Sequence, residues 1–272
     1  MTQTHEIQLG NRHRATRIVL IGSGGNGSAI LFALPYLHQA LLAWGSSYGL
    51  EVTVLDHDTV SPTNCVRQPF GHADIGQNKA TVLVNRVNLF HGLNWTAIPM
   101  KFDGTQQPNS TYDQTIDLVI SCVDTKKARA AMHKAFFDDG RWSSVRYWLD
   151  LGNNSSNGQF VLGQPRNHVN TPAKNRLPCV TELFPSIMDT DAGEDDLPSC
   201  SAAEALERQE PFINNVLASS AMAMVARLLR YGKIDHHGGF YNAESARLVP
   251  LPIDPDGWAR LKRRKRAQAA RI

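Results

Sequence analysis

The chain has 272 residues, 42% of them hydrophobic and 19% charged, with a formal net charge of +3. Those proportions suit a globular protein with one sizeable core and a small appendage. The opening Met1-Thr2-Gln3-Thr4-His5-Glu6 lacks a basic-then-apolar signal pattern and no apolar run is long enough to span a bilayer, so neither export nor membrane insertion is expected and the cytoplasm is.

The first strand is expected at Arg17-Ile18-Val19-Leu20-Ile21, stopping at Gly22, with a helix resuming from Ala29 after the glycines. A second strand, Glu51 to Asp56, ends in a carboxylate, and a long irregular loop from Ser61 to Asn78 leads to a helix over Lys79 to Leu89. Ile116 to Asp124 reads as a buried strand that again ends in Asp, and Lys126 to Phe137 has helical spacing. Tyr147 to Gly152 and Gly158 to Gly163 supply two more strands. This alternation predicts an α/β, Rossmann-like, doubly wound and mainly parallel sheet, with ligands at the carboxyl ends of its strands.

From Gln164 to Glu210 the rhythm breaks: five prolines and the acidic run Asp189 to Asp196 predict a long, partly mobile crossover that carries Cys179 and Cys200. The stripe Ile213, Val216, Leu217, Met224 and Leu228 then marks a core-facing helix. Residues 1–260 are expected to form a single domain with the crossover at about 164–210, and residues 261–272 a basic tail. Arg260 to Arg266 holds six positive side chains in seven residues; this is the one feature that could follow nucleic-acid phosphates, and no base-reading motif accompanies it.

Gly22-Ser23-Gly24-Gly25-Asn26-Gly27 between a strand and a helix serves any ligand whose phosphates sit on a helix N-terminus. Asp56 would accept hydrogen bonds from ribose hydroxyls in a dinucleotide or an ATP site alike. The groups that follow favour a triphosphate: Arg67 and Lys79 neutralise it, Asn64 and Gln68 orient it, and Asp124 offers Mg²⁺ the oxygen ligand it prefers. Each has a bland counterpart, since an Arg or Lys after a strand is ordinarily a solvated charge and Asp124 could cap the next helix. Two alternatives stay open: an NAD-dependent oxidoreductase, and a scaffold that binds nucleotide without catalysis.

These segments resemble the ThiF/MoeB branch of the ubiquitin-activating enzyme superfamily, whose pattern runs G-x-G-G-x-G, D-x-D-x-V-x-x-S-N-x-x-R-Q, G-x-x-K and C-x-D. Here the matches are Gly22 to Gly27, Asp56 to Gln68 with Thr63 in place of Ser, Gly76 to Lys79, and Cys122-Val123-Asp124. The match is good over about residues 17 to 163 and thinner at Pro198 to Ala205, which is similar to the family's S-C-x-x-A-G segment. The crossover and tail also resemble the ThiF-like component of the PRTRC plasmid-associated gene cluster, and an antiparallel C-terminal extension completes the expected fold.

The resemblance implies ATP- and Mg²⁺-dependent adenylation of the C-terminal glycine carboxylate of a ubiquitin-like β-grasp protein, by a homodimer. It assigns Gly22, Gly24, Gly25, Gly27, Asp56, Asn64, Arg67, Gln68 and Lys79 to the nucleotide, with Arg67 and Lys79 also catalytic, and Asp124 to the metal. An anionic nucleophile needs no general base, so the lack of an obvious catalytic His fits. The family's N-terminal R-Y-x-R-Q segment is missing; Arg12 and Arg14 are the nearest candidates and read as solvent-exposed charges. The family's C-x-x-C zinc pairs are missing too, and Thr125 stands where Asn is usual. Cys122 reads as a core residue and Cys65 as a turn residue. Cys200 is the thiol placed to accept the activated carboxylate, Cys179 is the reserve, and an enzyme that stops at the adenylate is the alternative.

Overall fold

The computed structural model describes residues 3–7, 14–105, 115–137, 142–170, 176–189 and 210–260. In chain order the elements are β1 (His5–Glu6), β2 (Thr16–Ile21), α1 (Gly25–Ala43), β3 (Leu50–Leu55), α2 (Asn64–Arg67), α3 (Lys79–His91), β4 (Thr96–Ile98), β5 (Ile116–Ser121) and α4 (Lys126–Phe137). After these come β6 (Val145–Asn153), β7 (Asn157–Gly163), α5 (Val180–Leu183), α6 (Ile213–Tyr231), β8 (Lys233–Ile234), β9 (His236–Asn242) and β10 (Arg247–Pro252).

Eight strands form one sheet in the order β10-β9-β7-β6-β5-β2-β3-β4. The five from β4 to β6 run parallel, and β7, β9 and β10 add antiparallel strands at one edge. This is the expected α/β Rossmann-like sheet. From β2 the chain moves outward to β3 and β4, then returns to β5 on the other side of β2. The order therefore reverses between β2 and β5, where the diverging connections leave a crevice at the carboxyl ends.

Ile18 and Leu20 on one face of β2 and Val19 and Ile21 on the other are all buried, as are Ile120 and Val119 of β5, so both strands are covered on both faces, as parallel strands require. On one face α1 packs against α6 and α3. The inward stripe of α6 includes Ile213, Leu217, Met224 and Leu228. Elsewhere Phe102, Phe136, Trp142 and Trp148 form an aromatic cluster, edge-to-face except for the tilted pair Phe136 and Trp142.

Two local expectations change. The stretch from Ser61 to Asn78 is not irregular throughout: it holds α2 and a 3₁₀ turn at His72–Asp74. The turn closes because Asp74 Oδ2 accepts the Gly71 N–H at 2.7 Å. Helix α1 begins at Gly25, within the glycine loop, so the loop's last glycines are its first turn. No helix among the described residues is long and apolar enough to cross a membrane.

Candidate active site

The glycine loop is built around one carboxylate. Asp56, just past β3 and buried, accepts from Ser23 twice through Oδ2, from the backbone N–H at 2.6 Å and the hydroxyl at 2.7 Å. Its Oδ1 accepts the Asp58 N–H at 2.9 Å. A carboxylate offers about four acceptor sites, so three fix the loop and one stays for an incoming hydroxyl.

The glycines divide by what surrounds them. Gly22 sits at φ +88°, and a Cβ there would come within 2.7 Å of the Cys122 carbonyl oxygen. A Cβ on Gly27 would run into the Gly22 carbonyl, and one on Gly25 into the Asn214 carboxamide from α6. Gly24 is different, with nothing within 4 Å. Gly24 is also the N-cap of α1, which has no side-chain cap and no acidic residue in its first turn. The helix thus presents N–H groups and the positive end of its dipole to an open space, the arrangement that binds phosphate.

The expected charges are held by the segments that follow β3 and β5. Lys79, buried at the start of α3, donates from Nζ to Asp58 Oδ2 at 3.0 Å and from its backbone N–H to the Asp58 carbonyl at 2.9 Å. The Asn78 side chain caps α3 by accepting the Thr81 N–H, which aims Lys79 back along the loop. Arg67 and Gln68 are half-buried at the end of α2, and Gln68 Oε1 has no hydrogen-bond partner among the described residues. Asn64 Oδ1 accepts the Ser61 N–H at 2.9 Å, so this amide also shapes its own loop.

Asp124 follows β5. The helix-capping duty falls to Thr125, whose Oγ1 accepts the Ala128 N–H at 3.1 Å, and no hydrogen bond among the described residues ties down the Asp124 side chain. Its carboxylate is open to solvent on one side. Protein packed around the other side raises its pKa by desolvation, against the pull of Lys79, Arg129 and Arg67 and with the repulsion of Asp58. Lys79, Arg67, Asp58 and Asp124 therefore share one field. Asp56, His57 and Asp58 bring ligand atoms within 4.8 Å of one another, a second oxygen-rich group beside Asp124.

Some neighbours have no sequence-level signature. Arg129 of α4 donates from Nε to both oxygens of the fully buried Asp150 of β6, at 3.2 and 3.3 Å. Ser121 Oγ donates to Asp150 at 2.6 Å and accepts from Trp148 Nε1 at 2.7 Å. Desolvation raises the Asp150 pKa while Arg129 draws it down. Asn26 Nδ2 donates to Asn153 Oδ1 at 2.8 Å, joining the loop to the end of β6.

Two candidates are corrected, and others fall outside the described residues. Arg14 is not a solvent-exposed charge: it pairs with Asp117 at 2.6 Å, at the amino ends of β2 and β5 and away from the crevice. Cys179 is not an accessible thiol. It has no exposure, its backbone packs where a Cβ on Gly163 would fall, and burial pushes its pKa well above the ordinary value, helped by Glu182. Cys200, Arg12 and the basic tail lie outside the described residues. Cys122 is buried as expected.

A model of the ThiF family matches residues 6–248. No curated protein matches the sequence. Among solved structures, a crystal structure of PaaA is similar with a TM-score of 0.56 at 13% identity, over 89% of this chain and 65% of that one. E. coli MccB with ATP has a TM-score of 0.54 at 16% identity, over 89% of this chain and 65% of that one. E. coli MccB with MccA has a TM-score of 0.57 at 16% identity, over 90% and 66%. The chain thus spans just under two thirds of the length of these structures.

Proposed function

The chain belongs to the ThiF family, and from that premise we propose that it is an adenylyltransferase that uses ATP and Mg²⁺ to activate the C-terminal glycine carboxylate of a ubiquitin-like β-grasp protein. The observation that carries this reading is the open space over Gly24 at the uncapped start of α1, together with the electrostatic coupling of Lys79 and Arg67 to Asp124 just past the neighbouring strand β5. The MccB structures with ATP and with MccA support it, since they pair this fold with a nucleotide and a second chain.

The geometry supports a role for each residue in this reading. The first-turn N–H groups of α1 and the cations of Arg67 and Lys79 would hold phosphate charge, with no rearrangement when that charge shifts. The last acceptor site of Asp56 suits a ribose hydroxyl. Asp124 and Asp58 supply the carboxylate oxygens that Mg²⁺ favours, and the ion would supply charge neutralisation to the departing phosphates. In the reaction the substrate carboxylate attacks the α-phosphorus and pyrophosphate leaves. Our reading places the enzyme in the cytoplasm as a homodimer beside the other products of a PRTRC-type gene cluster, with Cys200 as the thiol that takes the activated carboxylate.

The test is ATP–pyrophosphate exchange by the purified chain, with and without ubiquitin-like proteins from its gene neighbourhood, alongside binding of labelled ATP and NADH. Exchange that depends on such a protein supports the proposal. ATP binding without exchange indicates a scaffold, and preference for NADH an oxidoreductase.

A further inference from the structure

The end of the molecule opposite the crevice carries charge that the proposed reaction does not use. Residues 227–272 hold eleven Lys and Arg against four Asp and Glu, while the whole chain nets only +3, so the first 226 residues are net acidic. Such an asymmetry favours a polyanionic partner at one end of a chain. Helices α1 and α6 fix where that end lies. Both begin beside the crevice, where Asn214 meets Gly25, and both run nineteen residues, roughly 27 Å, towards the amino ends of the parallel strands.

There the two helix ends meet in a stack of cations and rings. The Arg230 guanidinium lies 4.9 Å from the Trp44 ring and 5.1 Å from the Tyr231 ring, and Arg227 lies 5.3 Å from Tyr231. Arg227, Arg230 and Lys233 are exposed, and none of them forms an ion pair among the described residues. A guanidinium whose face rests on a ring keeps its in-plane N–H groups for an anion, and the ring holds it in place before the anion arrives. Trp44 and Tyr231 are themselves 40% and 52% exposed, so part of each ring stays open to a stacking partner.

The basic run of the sequence starts from this same end. From α6 the chain passes through Gly232 and β8 to Asp235, whose carbonyl accepts the Ile253 N–H at 3.2 Å, and Trp258 packs edge-on against His237 at 5.1 Å. Arg260, the last described residue, donates to Asp254 Oδ2 at 3.3 Å. Lys262, Arg263, Arg264, Lys265 and Arg266 follow directly, so chain length alone keeps them within about 20 Å of Arg260. The nearby acids are already engaged: Glu6 stands in register with Lys233, His236 lies 2.8 Å from Asp235, and Asp254 holds Arg260.

We propose that this end binds the phosphate backbone of a nucleic acid, without reading its sequence, through Arg227, Arg230 and Lys233 together with the run from Lys262 to Arg266. A nucleic-acid strand repeats one negative charge per nucleotide and offers bases to open rings. That matches a stack of cations and rings better than the irregular carboxylates of an acidic protein do. The net acidic remainder of the chain repels phosphate and so orients the strand towards this end. The crevice lies a helix length away and stays open to ATP, so the inference stands apart from the proposed reaction.

Fluorescence anisotropy of the full chain with labelled random-sequence oligonucleotides, single-stranded and duplex, tests it across about 50 to 200 mM salt. The wild type should bind, with an affinity that falls steeply as salt rises. Arg227→Gln/Arg230→Gln should weaken binding about tenfold or more and make the slope of log affinity against log salt shallower by roughly 1.4–1.8, the loss of two phosphate contacts. Lys262→Gln/Arg263→Gln/Arg264→Gln/Lys265→Gln/Arg266→Gln should weaken it further. Lys134→Gln/Arg247→Gln removes two exposed charges from α4 and the far end of β10 and should bind as wild type does. A wild type that binds no oligonucleotide, an arginine variant no weaker than this control, or displacement of the oligonucleotide by ATP each overturns the site. Vesicles of phosphatidylcholine and phosphatidylserine form a second arm: vesicle binding that excess oligonucleotide leaves in place overturns the nucleic acid in favour of a membrane surface. Hydrogen exchange of the wild type gives a readout without substitutions. Amides over residues 227–234 gain protection with oligonucleotide if the strand lies here, and unchanged exchange overturns the proposal.

Discussion

Ser23 and Asp56 are joined twice at one atom: the backbone N–H and the hydroxyl of Ser23 both donate to Asp56 Oδ2, at 2.6 and 2.7 Å. The residue expected to hold a ribose is therefore also the post on which the glycine loop is hung. Asp56→Ala should weaken ATP binding and also destabilise the fold by about 1–3 kcal/mol, because a buried N–H loses its acceptor. Urea unfolding beside ATP titration checks both effects. A variant of wild-type stability would limit Asp56 to ligand contact.

Gly24 and Gly27 should separate binding from folding. Gly24→Ala adds a methyl group that meets nothing within 4 Å, so it should cost less stability than Gly27→Ala while a ligand on the α1 N-terminus is obstructed. Gly27→Ala drives a methyl into the Gly22 carbonyl and should lower stability by about 1–3 kcal/mol. Thermal unfolding with and without ATP reads both. Equal ATP affinity in Gly24→Ala and wild type would place the phosphates elsewhere.

Lys79→Ala and Arg67→Ala should each slow pyrophosphate exchange by about 3 kcal/mol of transition-state stabilisation, roughly 100-fold, with the fold intact. The Lys79 partner, Asp58, is half open to solvent and tolerates the loss of its ion pair. Wild-type exchange in folded variants would contradict the assignment.

The crevice was legible in the sequence because its parts are local. Gly22 to Gly27 and Asp56 to Lys79 each form continuous runs whose types match strand ends and helix starts. The supporting contacts were hidden because they cross the chain: Asn26 meets Asn153 127 residues away, and Arg129 meets Asp150 across an element boundary. The strands β9 and β10 were hidden by composition. Gly238 and Gly239 suit a strand only because Phe160 of β7 occupies the space a Cβ would fill, and Pro250 is accommodated because β10 is an edge. Cys179 misled because a proline-rich context implies exposure, whereas Arg176 and Glu182 pair at 2.6 Å and the segment around the thiol packs into the core.

His237 should make stability pH-dependent. It is fully buried, its Nδ1 lies 2.7 Å from the Leu162 carbonyl, and desolvation lowers its pKa from 6.5 to about 4. The unfolded histidine protonates as pH falls below 6.5 while the native one stays neutral until about 4, so stability is lost across that window, by about 3 kcal/mol. The raised pKa of Asp150 acts in the opposite sense and is common to both proteins in the comparison. Denaturant midpoints from pH 7 to pH 4 should fall more steeply for wild type than for His237→Gln. Parallel curves would show that the histidine does not contribute.

The thiols are the last point of decision. Cys179 is buried with its pKa well above the ordinary value, so Cys179→Ala should cost stability and leave any thiol chemistry unchanged. If Cys200 takes the activated carboxylate, incubation with ATP, Mg²⁺ and the ubiquitin-like protein should give a conjugate that hydroxylamine removes. Cys200→Ala should lose that conjugate and keep pyrophosphate exchange, because exchange needs only the strand-end residues around Gly24, Lys79 and Asp124. Loss of the conjugate in Cys179→Ala instead would require the segment bearing Cys179 to leave the core during turnover. Exchange without any thiol-labile product would leave an enzyme that hands its adenylate directly to an external acceptor.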